Sequence, residues 1–249
     1  MLIVIPMAGL SRRFAEAGYT VPKYMLKVGG TSMFRHAVQS FETVFDQVTF
    51  LFVHRDVNET AAFIDQECAD MQLGDYIRIA VDAPTRGQAE TVAIGLRQAG
   101  FDANTEPLLI FNIDTIRPGY CLPAIAKETD GYLEVFRGEG EGWSFVRPMD
   151  CPGQKVAETT EKQRISNLCS TGIYYFRRVD DFLDAFEKEL STGPSYSQEY
   201  YVAPLYNHLI NQGLDIRYDI IEANEVIFSG VPSEFEAFRA ALKNAPSDP

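Results

Sequence analysis

The amino-acid sequence predicts an α/β fold organised around a doubly wound, mixed sheet. Three observations carry that expectation. Residues 2–5 form a short, unbroken apolar run, the pattern of a strand covered on both faces in a parallel sheet. Strand-like and helix-like segments alternate over roughly the first 115 residues. The chain has 249 residues, 46% hydrophobic and 23% charged, which suffices for one large packed domain and excludes disorder as the default.

Taken in order, residues 2–5 open the chain as a strand, and residues 6–14 follow as a loop with Gly9 and two arginines. Residues 32–41 are expected to be helical, because Met33, Phe34, Ala37, Val38 and Phe41 recur at helical spacing. A second strand spans 48–53, and a helix spans 58–71 with Asn58 as its N-cap. A third strand covers 77–81. The turn residues Pro84 to Gly87 then open a helix over 88–98, and a fourth strand covers 108–113, ending on Asp114. In such a fold, ligands sit beyond the carboxyl ends of the strands. The second half reads as shorter strands at 132–136, 144–146, 155–159 and 173–176, with a turn-rich loop at 138–142. Helices are expected at 179–190 and 198–211, strands at 216–221 and 225–228, and a closing helix at 233–242 with Ser233 as N-cap. The tail from Asn244 is expected to fray. No internal repeat and no interdomain linker is visible, so one domain is expected over residues 1–249.

The net charge of −13 argues against a nucleic-acid partner, which needs a broad basic face. It leaves room for one nucleotide in a locally positive site. Cys68, Cys121, Cys151 and Cys169 form no CxxC pair and read as reduced thiols of a cytoplasmic protein. His36, His54 and His208 lack zinc-type spacing. The apolar start is followed, not preceded, by basic residues, so no signal peptide is expected. No apolar run approaches the roughly 18 residues of a spanning helix, so no membrane partner is expected either. A homo-oligomer stays open.

Two groups of residues point to phosphate chemistry. In Pro6-Met7-Ala8-Gly9-Leu10-Ser11-Arg12-Arg13-Phe14, a strand runs into a small-residue loop whose amides can surround phosphate oxygens. Arg13 would offer a fork to the β- and γ-phosphates, and Lys23, after Pro22, a point charge near the α-phosphate. The plain alternative is a tight turn with solvated basic residues. In Asn112-Ile113-Asp114, an apolar strand ends on a carboxylate, which is how a hard oxygen is set beside a triphosphate to hold Mg2+. The alternative is a strand-end aspartate capping the turn before Pro118-Gly119. Glu199 begins a dense aromatic stretch that reads mostly as core, and from there it could reach an acceptor.

The opening loop, together with Val21-Pro22-Lys23, resembles the first motif of the sugar nucleotidyltransferase family, strand–AGxG(S/T)R–(x)n–PK. Ser11 stands where that family usually has its second glycine, and serine enters the left-handed backbone region only at a cost. The resemblance implies a Rossmann-like sheet of the GT-A-like nucleotidyltransferase kind, Mg2+ as cofactor, and transfer of a nucleotide from an NTP to a phosphorylated small molecule such as a sugar 1-phosphate. The nucleotide half would be about 1–118 and the acceptor half about 119–243. Arg13 and Lys23 would be catalytic and Asp114 the metal ligand. Ala8, Gly9, Leu10, Ser11, Arg12, Gln88, Glu90 and Asn112 would bind the nucleotide. Gly87-Gln88-Ala89-Glu90-Thr91 matches the helix start that faces the base in the family. An ionised Glu90 only accepts hydrogen bonds, which favours CTP or GTP over UTP and dTTP; the alternative is a plain first-turn acid. Residues 155–162 and 170–174 resemble the family's V-x-x-x-x-EK segment and later GiYxF strand. That implies an acceptor site of Glu161 on sugar hydroxyls and Lys162 on the sugar phosphate, with Glu199 nearby, against a hairpin of solvated charges. Phe228 stands where many members carry a second metal-binding aspartate. Two other readings are a glycosyltransferase of related fold, with Asn-Ile-Asp in the role of a DxD motif, and a non-catalytic nucleotide-binding regulator.

Overall fold

The computed structural model describes residues 1–101, 103–194 and 196–244. Among them the first half runs β1 (Leu2–Met7), α1 (Arg12–Glu16), β2 (Lys27–Val28), β3 (Thr31–Ser32), α2 (Met33–Val38), β4 (Thr49–Arg55), α3 (Thr60–Asp70), β5 (Tyr76–Val81), α4 (Gln88–Gln98), β6 (Leu108–Phe111) and β7 (Thr115–Ile116). The second half adds β8 (Gly131–Arg137), β9 (Ser144–Pro148), β10 (Val156–Glu161), β11 (Leu168–Phe176), α5 (Val179–Thr192), α6 (Tyr206–Asn211), β12 (Ile216–Ile221), β13 (Ile227–Phe228) and α7 (Pro232–Asn244).

The apolar run at the start is central because both its faces are covered. Leu2 and Val4 pack with Ala89, Val92 and Leu96 of α4 and with α5 residues such as Phe182. Ile3, Ile5 and Met7 pack on the other face with Phe34 and Val38 of α2 and Ile64 of α3. β1 pairs in parallel with β4 and β6, and β4 in parallel with β5. The long β11 then runs antiparallel to β6 and to β8, and β12 pairs in parallel with β8, which makes the sheet mixed. β9 joins the first part of β11 through Cys169 and Phe145, and β10 continues outward from β9. β7 and β13 form a separate two-stranded ribbon.

α7 returns to the beginning of the chain. Phe235 and Phe238 pack with Phe14 and Met33, and the Tyr19 hydroxyl donates to Glu236 at 2.6 Å. Phe14 is 1% exposed, so it anchors α1 with about 2–3 kcal/mol of burial.

Several boundaries differ from expectation, each for a local reason. Asn58 and Glu59 both take left-handed backbone, and α3 begins at Thr60 without a side-chain cap from Asn58. The helix expected over 198–211 forms only as a short 3-10 turn at Ala203–Leu205 and α6. Ser197 and Gln198 have positive φ, and the backbone of Tyr200 is engaged elsewhere, accepting from Ala89 N at 2.9 Å and donating to Arg86 O at 2.7 Å. Ser233 does not cap the closing helix, which already starts at Pro232; Glu234 instead accepts from Gly230 N and Val231 N at 2.8 and 3.2 Å. The tail beyond Asn244, expected to fray, lies outside the described residues. No helix among the described residues is long and apolar enough to cross a membrane.

The hinge of the mixed sheet is Gly172. The pairing of β11 with β8 shifts register between Ser170 and Tyr174, and Gly172 sits in that gap with φ +94°. A Cβ there would lie 2.5 Å from the Asn112 amide nitrogen. Gly172→Ala is therefore expected to lower unfolding free energy by about 1–3 kcal/mol, from a strained φ and a displaced Asn112. Gly142→Ala, with open space at its Cβ, is the control and should unfold like the wild type. Urea unfolding of both variants checks this; a Gly172→Ala chain as stable as the control contradicts it.

Candidate active site

β1 delivers its chain end into a tight turn. Ser11 takes φ 49° and ψ 34° ahead of α1, the left-handed conformation that a glycine would adopt freely. Ser11 thus holds the backbone conformation expected of the missing second glycine. The Lys23 amide approaches the Ser11 hydroxyl at 3.5 Å, a long contact that ties the next turn loosely to the first.

This loop walls a cavity of about 520 Å³, within the roughly 300–1,000 Å³ range of small-molecule sites. Every loop residue singled out from the sequence, Ala8 through Arg13, lines it. Lys23, Gln88, Asn112, Asp114 and Glu199 line it too. Two contacts organise its floor. The Gln88 amide donates to the Asn112 side-chain oxygen, joining the start of α4 to the end of β6. The Lys23 ammonium bonds Asp114 Oδ2, joining the first turn to the β6–β7 connection. Burial pushes the Asp114 carboxyl up; the Lys23 charge and hydrogen bond outweigh it, so Asp114 titrates below the usual carboxylate value. Its backbone carbonyl accepts from Ser229 N at 2.8 Å and Ser229 Oγ at 3.0 Å, so the β13 end is fastened to the same residue. Arg13 has no ion-pair partner among the described residues and lines this cavity and the next.

Glu90 is placed differently from expectation. It does not line the cavity; its carboxylate accepts from Arg86 N at 2.5 Å and from Arg86 Nε and Nη2 at 2.8 and 2.5 Å. Burial works against its ionisation, but these Arg86 contacts prevail and lower its pKa. Arg86 lies in the turn that enters α4, before the N-cap Gly87, and the first-turn carboxylate folds back onto its amide and guanidinium.

A second cavity of about 360 Å³ adjoins the first and shares Arg13, Gln88, Asn112 and Asp114 with it. Glu161 stands in its wall, 7% exposed, and accepts from the Ser144 hydroxyl, which also meets Tyr174 Oη at 3.2 Å. Burial pushes the Glu161 pKa up against that hydrogen bond and the Lys162 charge. Lys162 lies behind the wall. Its ammonium donates to Tyr201 Oη at 2.7 Å, lies 4.6 Å from the Tyr201 ring centre, and sits 3.8 Å from Glu161. Tyr201 in turn donates to Glu199.

Sequence reasoning missed the aromatic part of this cavity. Trp143, Tyr174, Tyr201 and Phe228 all line it, with Glu234 at its edge. The Phe228 ring packs on Trp143, 4.7 Å between centroids, and on Phe136 at 5.2 Å. The signal available was the chain's single tryptophan, set in a glycine-rich loop where core packing does not call for one.

Comparison with known proteins places this geometry. Residues 3–154 match the model of a MobA-like NTP transferase domain. No curated protein sequence matches the chain. Among solved structures, a nucleoside-diphosphate-sugar pyrophosphorylase from Vibrio cholerae RC9 is 46% identical, with TM-score 0.90 over 96% of this chain and 99% of that one. A UDP-glucose pyrophosphorylase complexed with UDP-glucose has TM-score 0.77 at 14% identity, covering 97% of this chain and 98% of its own. An inositol-1-phosphate CTP transferase from T. maritima has TM-score 0.69 at 14% identity, covering 99% and 97%. The last two share the fold. The domain match and the Vibrio relative establish more: the chain belongs to the sugar nucleotidyltransferase family and is a nucleotidyltransferase of the sugar pyrophosphorylase type.

Proposed function

We propose that this enzyme transfers a nucleoside monophosphate from an NTP to a sugar 1-phosphate or similar phosphorylated small molecule and releases pyrophosphate. The observation that carries the reading is the junction of the two cavities. Arg13 and Asp114 line both, so a nucleotide in the larger and an acceptor in the smaller would meet there. The Vibrio cholerae relative, a nucleoside-diphosphate-sugar pyrophosphorylase, supports the acceptor class. One domain serves both substrates, residues 1–118 chiefly the nucleotide and 119–243 chiefly the acceptor.

In this reaction an acceptor phosphate oxygen attacks the α-phosphorus, and the bond from that phosphorus to the β-phosphate oxygen breaks. No covalent enzyme intermediate is required; alignment and charge neutralisation supply the rate. The amides of residues 8–12 would receive the triphosphate, Arg13 would grip its β- and γ-phosphates, and Lys23 would face the α-phosphate. Glu161 would accept hydrogen bonds from acceptor hydroxyls, and Lys162 would lend positive charge to the acceptor phosphate with Glu199 behind it.

Asp114 fits Mg2+ as a single carboxylate. No group of three or more His, Cys, Asp or Glu among the described residues gathers to hold a metal alone. That donor set suits an ion that takes one or two carboxylates and completes its shell with substrate phosphates. When bound, magnesium neutralises charge on the triphosphate. The preference for CTP or GTP loses its basis with Glu90 turned to Arg86, so the four nucleotides enter the assay on equal terms.

The test is a matrix of NTPs against phosphorylated acceptors, read as pyrophosphate. Turnover is expected with at least one pair, silenced by EDTA and restored by magnesium; full activity in EDTA would reduce Asp114 to a turn residue. Arg13→Ala should remove about 2–5 kcal/mol of transition-state stabilisation, as loss of one partner of a desolvated charge pair does. Wild-type kcat/KM in that variant contradicts the assignment. Lys23→Met should raise the pKa of Asp114, because burial then acts unopposed by the ammonium. Carboxyl NMR titration reads it, and an unmoved Asp114 would mean that Lys23 does not set its charge.

A further inference from the structure

The smaller cavity has two unlike sides. One is an aromatic wall of Trp143 and Phe228, each backed by Phe136 at 5.2 Å between ring centres. The wall is fastened in place. The Trp143 indole donates to Glu139 O at 3.0 Å, and Arg164 grips the same loop through Glu139 at 3.1 Å and the carbonyls of Gly140 and Gly138 at 3.3 Å each. Phe228 is held through its backbone pairing with Thr115 and the hydrogen bonds of Ser229 to Asp114. The other side is polar: the Ser144 hydroxyl, the Glu161 carboxylate and the Tyr174 hydroxyl.

The charges are as uneven as the surfaces. Asp114, Glu161 and Glu234 line the cavity, Asp114 already paired with Lys23, and among the described residues Arg13 is its one lining cation. Lys162, just behind the wall, already faces Glu161 at 3.8 Å. In the transferase reading Arg13 serves the triphosphate and Lys162 the acceptor's phosphate. Among the described residues no further cation lines the cavity to meet a second anion, which would be desolvated beside these carboxylates.

Resting on that reading, we propose that the acceptor carries no anionic group besides its attacking phosphate, that it lays an apolar C–H face on the Trp143–Phe228 wall, and that Phe228 is a specificity-determining residue for it. An aromatic ring in place of a carboxylate makes this part of the pocket a contact surface for carbon, while Glu161 and Ser144 in the polar lining take the hydroxyls.

The experiment uses the full chain with an NTP that supports turnover and measures acceptor and NTP parameters separately. The panel holds neutral hexose 1-phosphates and glucuronic acid 1-phosphate. The neutral acceptors are expected to exceed the uronate by about a hundredfold in kcat/KM, as like-charge juxtaposition demands. Phe228→Ala and Trp143→Ala should each raise acceptor KM about tenfold and leave NTP KM unchanged, while Phe228→Leu keeps most of the affinity. Equal or better use of the uronate, or alanine variants that leave acceptor KM unmoved or raise both KM values, would each overturn the proposal, with pyrophosphate release still standing for the transferase. If Phe228→Ala does not fold, Trp143→Ala and the wild-type panel decide alone. Absence of pyrophosphate with every pair would instead remove the transferase reading and this inference with it.

Discussion

The ion pair between Lys23 and Asp114 is the constraint on which the site depends. Lys23 belongs to the turn after the first helix, and Asp114 to the connection leaving the fourth parallel strand, 91 residues away in sequence. Their side chains are 23% and 24% exposed, so each charge is substantially desolvated and needs the other. Ser229 adds a third segment through the Asp114 carbonyl, and Gly230 passes so close that a Cβ there would stand 3.0 Å from the carboxylate. Three distant parts of the chain thus converge on one carboxylate at the carboxyl end of the sheet, where an open α/β fold presents its ligands.

How legible this was in the sequence depended on how local the determinants were. The alternation of the first half is written in runs of contiguous residues, and β1, β4, β5 and β6 emerge where periodicity placed them. The phosphate loop, Lys23, Gln88, Asn112 and Asp114 share a cavity because each sits at an element end that the sequence marks by itself. The wall of the smaller cavity has no such mark. Trp143 precedes β9, Tyr174 lies on β11, Phe228 on the β7–β13 ribbon and Tyr201 in the stretch before α6, and only the tertiary fold brings these four segments together. Where tertiary contacts competed with local preference they prevailed: Arg86 took Glu90, and the Tyr200 backbone bonded to the α4 start in preference to a helix of its own.

Two departures from the family pattern have different physical weight. Ser11 keeps the glycine-like backbone, φ 49°, so the substitution is absorbed as local strain and the loop keeps its shape. Phe228 changes chemistry. Its ring joins Trp143 and Phe136, and with no carboxylate at that point Asp114 is left as the principal hard oxygen at the junction. A metal held there would depend on the nucleotide's own oxygens, and cation and substrate binding would then be mutually dependent.

The most direct test of the central claim follows phosphorus through turnover. With NTP labelled at the α-phosphate, the account predicts that label passes into a phosphatase-resistant nucleoside diphosphate adduct of the acceptor. With label at the γ-phosphate, it predicts recovery entirely in pyrophosphate. Gamma label appearing on the acceptor, or α label remaining wholly in nucleotide free of acceptor, would contradict it.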